Sequence, residues 1–428
     1  MKYDRAIADK LKAEFDKRKI LYSSMDRYYK GETDAFRDYP TTDRSNRKVR
    51  TNHIKMFVDE EVAYLTGNKL TYLNRLGNKD VIRDIEFALN NNNTCLDTEL
   101  ATVLNIFGTA YEVYYLHKGE FKAKVVDPMQ GIAYKNIEGE VELFLYFYRK
   151  ELDDVSKYYI DVYDEEYIYH FDEGFVQVAE PTKHYFDCVP VGIAELKNGS
   201  SDTIYNSIKE LQDAYESTLS DWANEIADTR LAYMIITGME LSPENAKKMK
   251  EMGILQCSDA KGKFEWLIKN IPSDFIKTYR EVIEDEMYKV THHLKNQVAL
   301  QSNTSGTMLA TRLNCLRIKL TTIHQSLNNC IKTRIKCLFT YLNKEQNKNY
   351  DYKDIAIKFT LNLPNNDLEM AQIISQLNGK LSIRTGLSQL SFVTNAEEEY
   401  KKMMEEQEQA LGELDLDVIK DETEQISA

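Results

Sequence analysis

Several things are missing from this 428-residue sequence, and each absence narrows what the chain can be. No apolar run approaches the ~20 residues that cross a bilayer as a helix; stretches such as LAYMII from Leu231 are far shorter. The expectation is a soluble chain, and the charged opening MKYDRAIADKLKAEFDKRK does not read as a secretory leader. There is no Gly-x4-Gly-Lys-Ser/Thr loop. NGKLS and KGKFE contain Gly-Lys but lack the upstream glycine and the hydroxyl residue that would cradle phosphate and metal. No CxxC pair links the cysteines at 95, 188, 257, 315, 330 and 337. Cys330 and Cys337 lie on one predicted helix, about 10 Å apart along its axis, which is beyond disulfide reach. Reduced thiols and intracellular assembly are expected. Internal repeats are also absent.

Charge is short of one sign in two places. The formal net charge of -14 argues against a simple nucleic-acid coat protein, which is normally basic. Much of the excess sits from Asn395 onward, where twelve acids face three bases. Between Thr307 and Lys344 the imbalance reverses, with no acid and seven Lys or Arg. That stretch either pairs with acids elsewhere in the chain or in another subunit, or it meets a polyanion.

What is present reads as an α+β chain, mainly helical. In NRKVRTNHIKMFVDEEVAYLTGNKLTY, Arg47, Lys48, Arg50 and, when charged, His53 precede a stripe of Ile54, Phe57, Val58, Val62 and Leu65. Gly67 is the expected left-handed C-cap, with an extended tail after it. From Tyr111 to His184 the period changes to two in tyrosine-rich runs (YEVYYLH, FKAKVV, VELFLYFYRK, SKYYIDVYD, EYIYHF), which predicts one antiparallel meander. NGSSD at 198–202 is the expected cap of a helix carrying Ile204, Ile208, Leu211, Tyr215, Leu219, Trp222 and Ile226. A small α+β module follows. A second helix capped by PSD then carries Phe275, Tyr279, Val282, Ile283, Met287, Val290 and Leu294 on its apolar face. These two helices are expected to run antiparallel, with the module at their far end. After the polar loop KNQVALQSNTSG, a long helix is predicted over about 307–343, with Leu309, Leu313, Leu316, Leu320, Ile323, Leu327, Ile331, Ile335 and Leu338 on one side.

No constellation for chemistry emerges. His292 and His293 are adjacent, so on a helix they diverge by about 100° and do not share a metal. The carboxylates at 397–399, 415 and 417 read as solvated tail charge. The expectation is no enzyme, no cofactor and no metal.

In order along the chain, these segments resemble the portal proteins of tailed double-stranded DNA bacteriophages, in the branch of long-tailed phages of Gram-positive hosts. The matching residues are Asn46-Arg47, Asn52, Phe57, Val58, Asp59, Tyr64, Leu65, Gly67 and Thr71-Tyr72. They continue with Asp213-Ala214-Tyr215, Ser220, Asn224, Glu225 and Asp228, then SNTSG before the long helix, and finally Gly379, Ser382, Thr385 and Glu397–Glu399.

The resemblance implies a portal fold and a ring oligomer, usually dodecameric. Residues 1–200 would be an N-terminal helical region and β-rich wing, 201–229 and 273–294 the stem helices, and 230–272 the clip. Residues 295–306 would be the tunnel loop, 307–366 a long wing helix and strand, and 367–428 a helical crown with an acidic tail. The implied role is the channel at one capsid vertex through which DNA is packaged and ejected, in a ring that also seeds capsid assembly. Its implied partners are itself, double-stranded DNA held non-specifically, the terminase large subunit, the head–tail connector or adaptor, and the major capsid and scaffolding proteins. The implied location is the virion, and the host cytoplasm during assembly. Lys295, Asn296, Gln297, Gln301, Ser302 and Asn303 are the expected DNA-channel residues, while Arg47, Lys48 and Arg50 are expected at the subunit contact. The other readings are a minor head or adaptor protein and a metal-dependent nucleic-acid-processing enzyme.

Overall fold

The structure is a computed structural model that describes residues 2–37, 39–41, 45–90, 95–152, 155–229, 233–237, 244, 263–267, 273–295, 313–359, 367–377, 380–387, 390, 393, 396 and 399–407. The chain divides into two compact units, one of residues 1–296 with 313–362, the other of residues 297–312 with 363–428.

The first unit opens with α1 (Arg5–Tyr29), capped by Asp4, whose Oδ1 accepts the Ala6 N–H at 2.7 Å. Helix α2 (His53–Thr66) is capped by Asn52, whose Oδ1 accepts from the Lys55 N–H at 2.9 Å. Its predicted stripe is the buried one: Ile54, Phe57, Val58, Val62 and Leu65 all face inward. Gly67 differs from expectation. Its φ is -61°, right-handed, and its N–H still reaches the Ala63 carbonyl at 3.0 Å. The helix therefore continues geometrically through the glycine rather than reversing there.

The extended tail after it becomes β1 (Thr71–Asn74), which pairs antiparallel with β12 (Ile355–Lys358), Tyr72 opposite Ile357. Next come α3 (Lys79–Asn90) and α4 (Leu96–Phe107). Gly108 ends α4 in the left-handed region at φ +77°, where a Cβ would run into the Gly199 carbonyl. Only glycine fits that crossing.

The predicted single meander is two sheets. Strands β2 (Thr109–His117) and β3 (Glu120–Val126) form a three-stranded sheet with β9 (Val191–Glu195), in the order β3-β2-β9. The consecutive meander is β4 (Gly131–Lys135), β5 (Val141–Leu152), β6 (Val155–Tyr163), β7 (Tyr167–Asp172) and β8 (Gln177–Lys183).

Alternation on β5 explains the split. Leu143 and Leu145 join Ile160 and Val162 against Ala8, Leu11 and Phe15 of α1. Phe144, on the opposite face, joins Tyr163 against Tyr111, Val113 and Val191 of the smaller sheet. A period of two thus buries both faces of one sheet.

Helix α5 (Ile204–Thr229) follows a short 3-10 turn over Gly199–Asp202. NGSSD makes this turn rather than the cap, since Asp202 accepts from the Asn198 N–H at 2.9 Å. The capping oxygen belongs to Thr203, whose Oγ1 accepts from the Asn206 N–H at 3.4 Å. Strands β10 (Tyr233–Thr237) and β11 (Lys263–Leu267) pair antiparallel, and α6 (Ser273–Thr291) then packs on α5. Helix α7 (Asn314–Glu345) lies across the small sheet with Leu316, Leu320, Ile323, Leu327, Ile331, Ile335 and Leu338 all buried. This is the predicted apolar line; residues 307–312, where the helix was expected to begin, lie outside the described residues.

In the second unit, α8 (Asp367–Gln376) and α9 (Ile383–Leu387) are described. Gly386 abuts Ile374 there, and the Arg384 guanidinium lies 4.5 Å from the centre of the Tyr400 ring.

Candidate functional site: a strap held on a paired helix

Two of the motifs singled out in the sequence meet in space. Residues 45–52 form a strap along α5 that leads into His53, the first residue of α2. Four side chains spaced by four on the helix, Gln212, Glu216, Ser220 and Asn224, accept backbone N–H groups spaced by two on the strap. His53 donates to Gln212 Oε1 (3.3 Å), Thr51 to Glu216 Oε1 (2.7 Å), Val49 to Ser220 Oγ (3.0 Å) and Arg47 to Asn224 Oδ1 (2.6 Å). The fit is metric. Four helical residues advance about 6 Å, and two extended residues advance about 6.6 Å. At the two ends the amides also donate back, Gln212 Nε2 to the Thr51 carbonyl (2.9 Å) and Asn224 Nδ2 to the Arg47 carbonyl (3.1 Å).

The same helix holds the segment before the strap. Glu216 Oε2 accepts from the Thr33 hydroxyl, so one carboxylate ties two separate segments. Asp213 accepts from the Tyr28 hydroxyl (2.6 Å) and the Ala35 N–H (3.3 Å), while Tyr39 donates to Asp221 (2.5 Å). Burial pushes the carboxyls of Glu216 and Asp213 above the ordinary carboxylate range, against the pull of these donors. Gln212 and Glu216 were not singled out from sequence. The signal was available in the polar repeat of four at 212, 216, 220 and 224.

The predicted contact cations sit on this strap, all exposed. The Lys48 ammonium donates to the Phe36 carbonyl (3.1 Å) and Arg50 lies over the Phe36 ring (5.8 Å). None of Arg47, Lys48 and Arg50 forms an ion pair with a described residue. Lys295 is placed elsewhere, just beyond α6, with its ammonium 2.9 Å from Asp285 and 3.2 Å from Glu284. Partial burial lowers its pKa, but the two carboxylates outweigh that and hold it above the ordinary lysine value. Asn296, Gln297, Gln301, Ser302 and Asn303 lie outside the described residues.

The acid-free stretch of α7, up to Lys344, is answered from elsewhere in the chain. Arg334, buried, donates to both oxygens of buried Glu112 on β2 (2.6 and 3.0 Å) and to Asp97 (2.7 Å). Lys319 reaches buried Glu61 on α2 at 2.6 Å, and Lys344 reaches Asp187 at 2.5 Å. Beside Glu61 the buried His293 ring lies against Phe57, centroids 4.4 Å apart, and neither ring nitrogen has a hydrogen-bond partner. Burial, aided by Lys319, holds its pKa down to about 3. Cys188 and Cys337 bring their sulfurs to 3.9 Å as free thiols. Among the described residues no group of three His, Cys, Asp or Glu is arranged to hold a metal, and no helix is long and apolar enough to cross a membrane.

The buried polar groups of the strap, of α5 and of α7 hold segments of the chain together. The family described as phage portal protein, SPP1 Gp6-like, matches residues 8–413. The chain is 22% identical over 415 residues to the portal protein of Clostridium phage phiCD119, with 90% of each covered. It is 23% identical over 411 residues to the portal protein of Bacillus phage SPP1, covering 86% of this chain and 78% of that protein. Among solved structures it is similar to a chain from the neck of an empty GTA particle computed with C6 symmetry. The TM-score is 0.50 at 13% identity, with 86% and 93% of the two chains covered; at that identity the likeness concerns fold alone. The chain belongs to the phage portal protein family, whose members are structural components of the virion and not enzymes.

Proposed function

We propose that copies of this chain close into a ring, a dodecamer, forming the channel at one capsid vertex through which double-stranded DNA is packaged and later ejected. The observation that carries this reading is the family match across residues 8–413, nearly the whole chain. The paired helices α5 and α6, with β10 and β11 between them, support it. In this reading residues 1–200 are the wing, α5 and α6 the stem, and 230–272 the clip that docks the terminase large subunit. The long helix and strand of 307–366 complete the wing, and 367–428 form the crown. The ring assembles in the host cytoplasm with major capsid and scaffolding proteins, and later meets the head–tail connector.

Residues 295–306 form the tunnel loop. Lys295, Asn296, Gln297, Gln301, Ser302 and Asn303 offer short polar contacts to a duplex that must slide. Many strong phosphate contacts would hold it too tightly, because each neutralised phosphate adds affinity. The ammonium of Lys295, already facing Glu284 and Asp285, suits weak contact. Arg47, Lys48 and Arg50 face the neighbouring subunit.

Negative-stain images of the purified protein test the reading. Rings with an axial hole are the expected result. Folded monomers at concentrations where phage portals assemble, or compact particles without a hole, would overturn it and favour an adaptor role.

A further inference from the structure

Helix α6 carries apolar residues on two lines. Ile283 and Met287 are buried, whereas Phe275 is 70%, Val282 54%, Val290 46% and Tyr279 45% exposed. At about 100° per residue these four exposed positions fall within about 80° of one another, and Glu286 falls in their midst. Single exposed apolar residues are ordinary, but four aligned on one helix form a surface. The Phe275 and Tyr279 rings are stacked, with planes 9° apart and centroids 6.3 Å apart. The ring pair and, about 10 Å further along the helix from Tyr279, the Glu286 carboxylate make two separate seats for guanidinium groups, one by stacking and one by pairing.

The chain carries a complementary surface. The strap displays Arg47, Lys48 and Arg50, all exposed, on a backbone fixed by the four-rung ladder. A backbone already ordered loses little further freedom on binding. Among the described residues Glu286 is engaged only by Lys289, an exposed pair three residues on at 2.6 Å, and such pairs are weak enough to exchange.

We infer that the outer stripe of α6 on one subunit receives the strap cations of the next copy, with the Phe275–Tyr279 pair and Glu286 taking the Arg47 and Arg50 guanidiniums. The two patches are different parts of the chain, so the contact is head-to-tail, the kind that closes a ring. The inference rests on the ring reading and supplies that ring with one specific contact.

The test is native mass spectrometry of four proteins: wild type, Arg47→Glu/Arg50→Glu, Glu286→Arg, and the chain combining all three changes. Each patch reversed alone is expected to lower the ring fraction by about tenfold or more, and the combined chain to restore it, since the charges are again complementary. An equimolar mixture of the two single-patch proteins is expected to form rings as well. Phe275→Ser, an uncharged probe of the same stripe, is expected to lower the ring fraction with the monomer melting temperature unchanged. The contact is refuted if both single-patch proteins form rings as the wild type does, or if the combined chain is no better than either. A wild type that forms no rings refutes the ring reading itself and this contact with it.

Discussion

Helices α5 and α7 both turn polar residues inward, but they use different chemistry. On α7 these groups are ions answered by ions, Arg334 by Glu112 and Asp97, and Lys319 by Glu61. On α5 they are two amides, a hydroxyl and a carboxylate, answering the backbone of an extended strap. Each helix misleads if read by composition alone. A cationic helix whose one acid is its last residue suggests a polyanion surface, yet three of its cations are engaged by acids more than a hundred residues away. A polar stripe on α5 suggests a solvent face, yet Gln212, Glu216 and Ser220 are buried. Charge content therefore does not locate the partner surface; what remains uncovered after the chain has satisfied itself does.

Breaking the ionic side should cost most. Arg334→Met leaves Glu112 buried without its cation, and about 3–5 kcal/mol of unfolding free energy should be lost in urea denaturation of the monomer. A loss below about 1 kcal/mol would mean that the triad is not holding α7 to β2. On the ladder side, Glu216→Ala strands the Thr51 N–H and the Thr33 hydroxyl. A loss of about 1–3 kcal/mol is expected by the same method, smaller because no buried ion is left behind. If it equals or exceeds the Arg334 effect, the contrast between the two helices fails.

The smallest of the three effects appears with pH. His293 is held to about 3 in the folded chain by burial, against an ordinary 6.5. Below pH 6.5 the unfolded chain takes up a proton that the folded chain refuses. Stability is therefore complete above pH 6.5 and falls by about 1.4 kcal/mol per unit as pH drops toward 3. Burial also holds down His53, His184 and His324, adding to the slope. It pushes the neighbouring Glu61 up, which opposes the slope. Comparison with His293→Leu isolates the one ring. Between pH 7.5 and 5.5 the variant should lose about 1.4 kcal/mol less than the wild type. Equal losses would place a partner on the ring.

The local period made much of the fold legible in the sequence. The leucine line of α7 and the stripe of α2 are buried as spaced, because one apolar stripe on a helix has one way to be covered. On α6 the same reasoning found the apolar residues but placed them on a single inward face. The helix is apolar over a wider arc than α5 covers, and periodicity alone does not separate a buried line from one left uncovered. Strand β8, QVAEPTK, escaped notice because it is an exposed edge strand with a proline and no alternation. Pairing between β1 and β12, about 280 residues apart, leaves no local trace. The ladder joins two motifs visible separately; their complementarity lies in matching a step of four on a helix to a step of two on a strand.

Amide hydrogen exchange at Arg47, Val49 and Thr51 tests that match most directly. In the wild-type monomer these three amides should exchange slowly and those of Lys48 and Arg50 quickly, in alternation. Glu216→Ala should release Thr51 first. Uniformly fast exchange from 46 to 52 in the folded wild type would contradict the account.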